Sequence, residues 1–221
     1  MERVEMSQRS ISERVWKWFV ERTRIEPILN ATITERALNP MYCLGGLTFL
    51  FFVLLAITGV MLGMYYSPTP QTAYSSVQEI SDSVPYGWLI RGVHFYAANG
   101  MIITSVLHML RVYFTGAYKK PRELNWIVGV GLGALTLMAG FTGYVLRWDQ
   151  EAVGAEGIGY GLAGSIPQLG PIVTGIFWGR NYNETLGRFF ASHVLLIPGV
   201  LVLLMAFHFF MIRSHGIAKP L

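Results

Sequence analysis

Disulfide chemistry is excluded at the outset. The 221 residues contain one cysteine, Cys43, so neither an internal disulfide nor a CxxC metal or redox motif can form. Charge is scarce as well: Asp, Glu, Lys and Arg make up 14% of the chain against 52% hydrophobic residues, with a mean hydropathy of +0.42. That balance is too apolar for an ordinary soluble domain and fits a polytopic membrane protein. No internal repeat or low-complexity tract is present. What the chain does have is four apolar runs, at about 42–65, 88–114, 126–146 and 186–212. Each is long enough to cross a hydrocarbon core that needs about 20 residues. Their cores contain no Asp or Glu.

The few charges are placed unevenly. Of 17 Lys and Arg, seven precede the first run (Arg3, Arg9, Arg14, Lys17, Arg22, Arg24 and Arg36). Arg111, Lys119, Lys120 and Arg122 end or follow the second run, and Arg213 and Lys219 follow the fourth. Four crossings put all of these on one side. Arg91, Arg147, Arg180 and Arg188 fall on the other, beside Glu79, Asp82, Asp149, Glu151, Glu156 and Glu184. The positive-inside rule then predicts both termini in the cytoplasm. The net charge of +4 follows from this topology, and no nucleic-acid partner is expected. Some forty residues precede the first run, so no cleavable signal peptide is expected. Within them, residues 11–29 alternate apolar and basic positions at helical spacing. They read as a helix lying in the membrane interface or, equally, docked on a partner subunit.

Two runs carry histidines in matched pairs, His94 with His108 and His193 with His208, 14 and 15 residues apart. At 1.5 Å per residue these spacings span about 21 and 22 Å. Each helix therefore offers one imidazole near each membrane face, on approximately one side. Paired across the two helices, His94 would meet His193 at one level and His108 would meet His208 at the other. A histidine inside a membrane helix is costly and needs a partner; singly, each reads as a hydrogen-bonded packing residue. A proton relay would recruit the carboxylates that the run cores lack. Four imidazoles in two pairs instead predict two bis-histidine haems, low-spin and without an open position, which suits electron transfer.

Glycines repeat the period. Gly45 and Gly59 are 14 apart in the first run, as are Gly129 and Gly143 in the third. Missing Cβ atoms let a flat macrocycle approach the backbone, whereas any one of them alone reads as helix packing. Arg91, Arg111, Arg188 and Arg213 each lie within five residues of a histidine. They suit haem propionates or anchorage at the interface. The prediction is an all-α membrane protein, a four-transmembrane-helix dihaem bundle with an N-terminal interfacial helix. It forms one domain over 1–221, with 1–40 as a cytoplasmic amphipathic segment.

The stretches NPMYCLGG (39–46), GWLIRGVH (87–94), LHMLRVYFTGAYKKPRELNW (107–126), GFTGYVLRWDQ (140–150), RFFASHV (188–194) and HFFMIRSHGIAKPL (208–221) resemble the cytochrome b subunit of quinol oxidoreductases. The 15-residue spacing of the second pair and the KPL tail resemble its short, split form, cytochrome b6. That resemblance implies an electron-transfer subunit, inactive alone, working in a Q cycle. Quinol oxidation at the outer face would send electrons past His94/His193, then His108/His208, to quinone reduction inside. It implies haem b at both pairs and a haem c held on Cys43 by one thioether; without the resemblance, Cys43 reads as a small buried hydrophobe. Implied partners are a Rieske-type iron–sulfur protein, a membrane subunit like subunit IV bearing the PEWY segment, a c-type cytochrome or plastocyanin, quinone, and a second copy in a dimeric complex. A multi-pass place in a bacterial inner or thylakoid membrane follows. The family usually has Pro-Trp where this chain has Arg147-Trp148, at a point bordering the outer quinol site. The alternative is a dihaem membrane anchor linking the quinone pool to a peripheral dehydrogenase or reductase, which would need the histidines but not Cys43.

Overall fold

In a computed structural model of the protein, residues 10–16 and 40–216 are described. Two compact units are formed, Met1–Tyr42 and Cys43–Leu221. In the first, residues 11–16 are helical. Ser10 and Glu13 cap that helix reciprocally: the Ser10 N–H donates to the Glu13 carboxylate at 3.2 Å and the Glu13 N–H donates to Ser10 Oγ at 3.3 Å. This is the capping box of a helix start. Ile11, Val15 and Trp16 are exposed. The remainder of the amphipathic stretch 11–29 lies outside the described residues, as does the KPL tail.

Eight labelled helices follow in order: α1 (Pro40–Gly63), α2 (Ala73–Asp82), α3 (Gly87–Phe114), α4 (Glu123–Val145), α5 (Gln150–Gly164), α6 (Gly170–Phe177), α7 (Tyr182–Ala191) and α8 (Ile197–His215). A five-residue π-turn, Ser192–Leu196, joins α7 to α8. Four helical stretches are long and apolar enough to cross a membrane: Tyr42–Gly63, Gly87–Phe114, Glu123–Val145 and Tyr182–His215. At most 22% of any span's most apolar window is buried within the chain. These helices are apolar nearly all round, so only lipid or other membrane components can cover what remains. The fourth span begins at Tyr182, earlier than the apolar run predicts. Asn181 supplies the start by accepting the Glu184 N–H at 3.0 Å, a side-chain cap that hydropathy does not register.

The spans form a ring. α1 meets α3 through Thr48, whose hydroxyl is 2.9 Å from that of Thr104, and meets α8 through the edge-on rings of Phe49 and Phe209. α4 packs against both α3 and α8. The connections 64–86 and 146–181 lie at one end, called the loop end below. There Ala73, Val145, Trp148, Trp178, Leu186 and Phe189 make the buried cluster, and Tyr66 Oη donates to the Leu146 carbonyl at 2.8 Å. At the opposite end Arg122 Nε donates to the Gly216 carbonyl at 3.2 Å, tying the α3–α4 turn to the end of α8.

Candidate metal centres

α3 carries His94 and His108; His193 lies in the π-turn and His208 on α8. The rings of His94 and His193 lie edge to face, with centroids 6.4 Å apart and planes at 69°. Two imidazoles each bonded to one metal at about 2 Å would hold their ring centres at roughly this separation. Among the described residues no group of three or more His, Cys, Asp or Glu could hold a metal ion. A pair of imidazoles suits a group that supplies the other ligands itself.

Each histidine has its own glycine. A Cβ on Gly59 would stand 3.3 Å from His94 Cε1, and one on Gly143 only 2.6 Å from His193 Cε1. At the other level, a Cβ on Gly45 would meet His108 Cε1 at 3.0 Å and one on Gly129 would meet His208 Cε1 at 3.6 Å. The glycines therefore make room first for the imidazoles. α1 and α4 form cradles that side chains would fill, and α3 and the fourth span supply what lies in them.

The two levels differ in how the rings are held. Thr58 Oγ1 lies 2.8 Å from His94 Nδ1, and Thr142 Oγ1 lies 3.1 Å from His193 Nδ1. Both hydroxyl protons point to their own helix, toward the Leu54 carbonyl at 2.6 Å and the Met138 carbonyl at 2.9 Å. Each threonine oxygen thus accepts from an imidazole Nδ1–H. That arrangement selects the tautomer whose Nε2 lone pair is free for a metal. His108 Nδ1 is buried without a hydrogen-bond partner, and the His208 ring lies near the Asn125 backbone carbonyl without a well-formed bond to its Nδ1. Charge alone does not reveal the threonines, but a signal exists: Thr-Gly occurs at 58–59 and again at 142–143, while Leu44 and Val128 precede the other two glycines.

The basic residues have mixed surroundings. Arg91 Nη1 donates to Ser81 Oγ at 2.9 Å and lines a cleft of about 330 Å³ shared with Tyr74, Asp82, Arg147 and Asp149. Arg188 Nη1 donates to the carbonyls of Gly175 at 2.6 Å and Trp178 at 2.7 Å, which ties α7 to the end of α6. Arg111 and Arg213 occupy the last turns of α3 and α8. Arg147 bridges to Asp149 at 2.6 Å and Glu151 at 3.2 Å, with its guanidinium 4.6 Å from the centre of the Tyr144 ring. Its neighbour Trp148 is buried with φ of 53°, and Asp149 caps α5 by accepting the Ala152 N–H at 2.8 Å. Burial opposes ionisation of Asp149, but that N–H and Arg147 hold its carboxyl below the usual range. Glu156, buried on α5, is pushed up by desolvation. Cys43 is exposed in the first turns of α1.

A four-span helical membrane protein with histidines against glycines at two levels is the class these features define. Residues 29–216 match the family described as cytochrome b/b6/petB. Cytochrome b6 of Heliobacterium mobile is 44% identical over 198 residues, covering 89% of this chain and 93% of that protein. Cytochrome b6 of Heliomicrobium gestii is 40% identical over 93% of this chain and the whole of that protein, and cytochrome b6 of Parasynechococcus marenigrum is 40% identical over 95% and 99%. A solved chain described as hyperthermophilic respiratory complex III superposes with a TM-score of 0.79 at 32% identity. It is covered over 56% of its own length, against 92% of this chain. The chain belongs to the cytochrome b family. Within that family it is an electron-transfer subunit of a quinol oxidoreductase complex.

Proposed function

We propose that His94 with His193 and His108 with His208 each hold one haem b, and that Cys43 carries a haem c through a single thioether. The observation that carries this reading is the fourfold match of histidine and glycine at two levels. Bis-imidazole haem supplies reversible one-electron exchange without an open coordination position. The chain's residues do the rest. Gly45, Gly59, Gly129 and Gly143 leave room for the rings, and Thr58 and Thr142 fix the tautomer at one level. Arg91, Arg111 and Arg213 lie near enough to the histidines to face haem carboxylates, and the 330 Å³ cleft gives Arg91 room to do so. Arg188 holds two carbonyls through Nη1 and faces the Glu184 carboxylate through Nη2 at 3.7 Å, so it would join that set only by exchanging Glu184 for a haem carboxylate.

The loop end faces outward and both termini face the cytoplasm. Arg111, Lys119, Lys120, Arg122 and Arg213 gathered at the opposite end support that orientation. Quinol is oxidised at the loop end and quinone reduced at the other, with α5 and α6 bordering the outer site. The chain, 1–221, acts as one domain with 1–40 on the cytoplasmic side. Its partners are a Rieske-type iron–sulfur protein, a PEWY-bearing membrane subunit, a c-type cytochrome or plastocyanin as acceptor, and a second copy of the complex. The test is spectroscopic: His94→Ala and His193→Ala should each remove the same b-type absorption from the native complex, and His108→Ala and His208→Ala the other. Loss of one common band in His94→Ala and His208→Ala would overturn the pairing.

A further inference from the structure

The fourth span holds one residue more than the second between its histidines, and the backbone shows where that residue goes. Along α3, the 14 steps from His94 to His108 fall about 40° short of four turns at 100° per residue. Fifteen such steps from His193 to His208 would overshoot four turns by about 60°. The two pairs would then differ in phase by about one residue. His193, however, lies in the π-turn Ser192–Leu196, where the Ile197 N–H reaches back five residues to the Ser192 carbonyl. A π-turn takes up one residue more than an α-turn. With that residue absorbed, the remaining steps restore the 40° shortfall of the first pair.

Pro198 gives the turn a local cause. It has no N–H for the Val194 carbonyl, and in a regular α-helix its ring would crowd that carbonyl. The usual donor for the His193 carbonyl, the Ile197 N–H, is given to Ser192. An unbroken i+4 ladder therefore cannot run through this point, whereas a five-residue step can. In the resulting phase His193 meets Thr142, Gly143 and His94. Leu195, within the turn, is 72% exposed.

We propose that the π-turn, held in place by Pro198, is a phasing device that absorbs a surplus residue and sets His193 in register with His208. The proposal rests on the haem reading above and adds positioning roles for Ser192 to Pro198. It is tested in membranes of the native complex by deleting Leu195 together with Pro198→Ala, which should restore a regular helix with 14-residue spacing. The control deletes Val106, which is also outward-facing, from the regular α3. Haem b per chain is measured by reduced-minus-oxidised spectra against immunodetected chain, with the low-spin ferric resonances recorded in parallel. The first variant should keep both haems at the wild-type ratio and both resonances. The Val106 deletion should lose at least one.

Loss of the His94/His193 centre in the first variant, or failure of that chain to accumulate, would overturn the proposal, because a spare residue must be dispensable. Retention of both haems after the Val106 deletion would overturn it too, since helical phase would then not matter. Absence of b-type haem from the wild-type chain would instead sink the haem reading itself.

Discussion

Thr58 accepts a hydrogen bond from His94 Nδ1 at 2.8 Å while giving its own proton to the Leu54 carbonyl at 2.6 Å, and Thr142 repeats the arrangement for His193. An acceptor on Nδ1–H makes an imidazole a more basic ligand and favours the oxidised metal. Removing it should therefore raise the midpoint potential of that centre. A neutral hydrogen bond contributes about 0.5–1.5 kcal/mol. For one electron, at roughly 59 mV per tenfold change in equilibrium, that is on the order of 20–60 mV. Thr58→Val and Thr142→Val should shift the His94/His193 centre upward and leave the other unmoved in a redox titration. Equal shifts at both centres would mean a general change in the bundle.

The four glycines are not equally demanding. A Cβ at Gly143 would stand 2.6 Å from His193 Cε1, closer than real Cβ contacts come, while one at Gly129 would stand 3.6 Å from His208, an ordinary contact. Gly143→Ala should displace His193 and reduce haem at that level, at an overpacking cost of about 1–3 kcal/mol. Gly129→Ala should keep full haem content, with Gly45→Ala and Gly59→Ala between them. Haem-to-chain ratios across the series would check the order. A larger loss in Gly129→Ala than in Gly143→Ala would contradict it.

Much of this site was legible because helical rise and rotation are simple arithmetic: residues 14 apart must sit about four turns apart, whatever surrounds them. The threonine contacts were hidden because a hydroxyl facing an imidazole across two helices leaves no periodic trace beyond a repeated Thr-Gly pair. The early start of the fourth span was hidden as well, since Asn181 begins it with polar atoms that a hydropathy run does not count. The 15-residue spacing posed a problem that the sequence raised without answering. An α-helix predicts about 100° of mismatch, and only the backbone reveals the π-turn that removes it. Arg188 sits near His193 in sequence, yet two loop carbonyls draw one of its terminal nitrogens, a claim on it that spacing does not disclose.

α5 carries two carboxylates with opposite pH behaviour. Asp149 caps its start with the carboxyl held below the usual range, so its stabilisation is present above the unfolded value and is lost as pH falls through the lowered one. Glu156 is pushed up, so its contribution is present at low pH and is lost as pH rises through the raised value. Hydrogen exchange over 150–164, corrected for the intrinsic rate, should quicken as pH falls through the lowered Asp149 value and also as pH rises through the raised Glu156 value. Asp149→Ala should remove a cap worth about 0.5–2 kcal/mol and abolish the change on the falling side. Glu156→Gln should abolish only the change on the rising side. An unchanged rising limb in Glu156→Gln would place the responsible group elsewhere.

Cys43 separates two readings cleanly. As a small hydrophobe it would be expected to lie buried and inert, but it is exposed in the first turns of α1. It lies two residues before Gly45, where a Cβ would meet His108, at the end of the bundle opposite the loop end. One sulfur allows one thioether, so the mass of the chain from its native membrane should rise by a single haem. Denaturing electrophoresis should then leave haem peroxidase activity on this polypeptide, because non-covalent haem b is released and a thioether is not. Cys43→Ala should abolish that activity, retain both haem b absorptions, and slow quinone reduction at the cytoplasmic face. An unmodified wild-type mass would leave the two histidine pairs untouched and remove the covalent haem from the scheme.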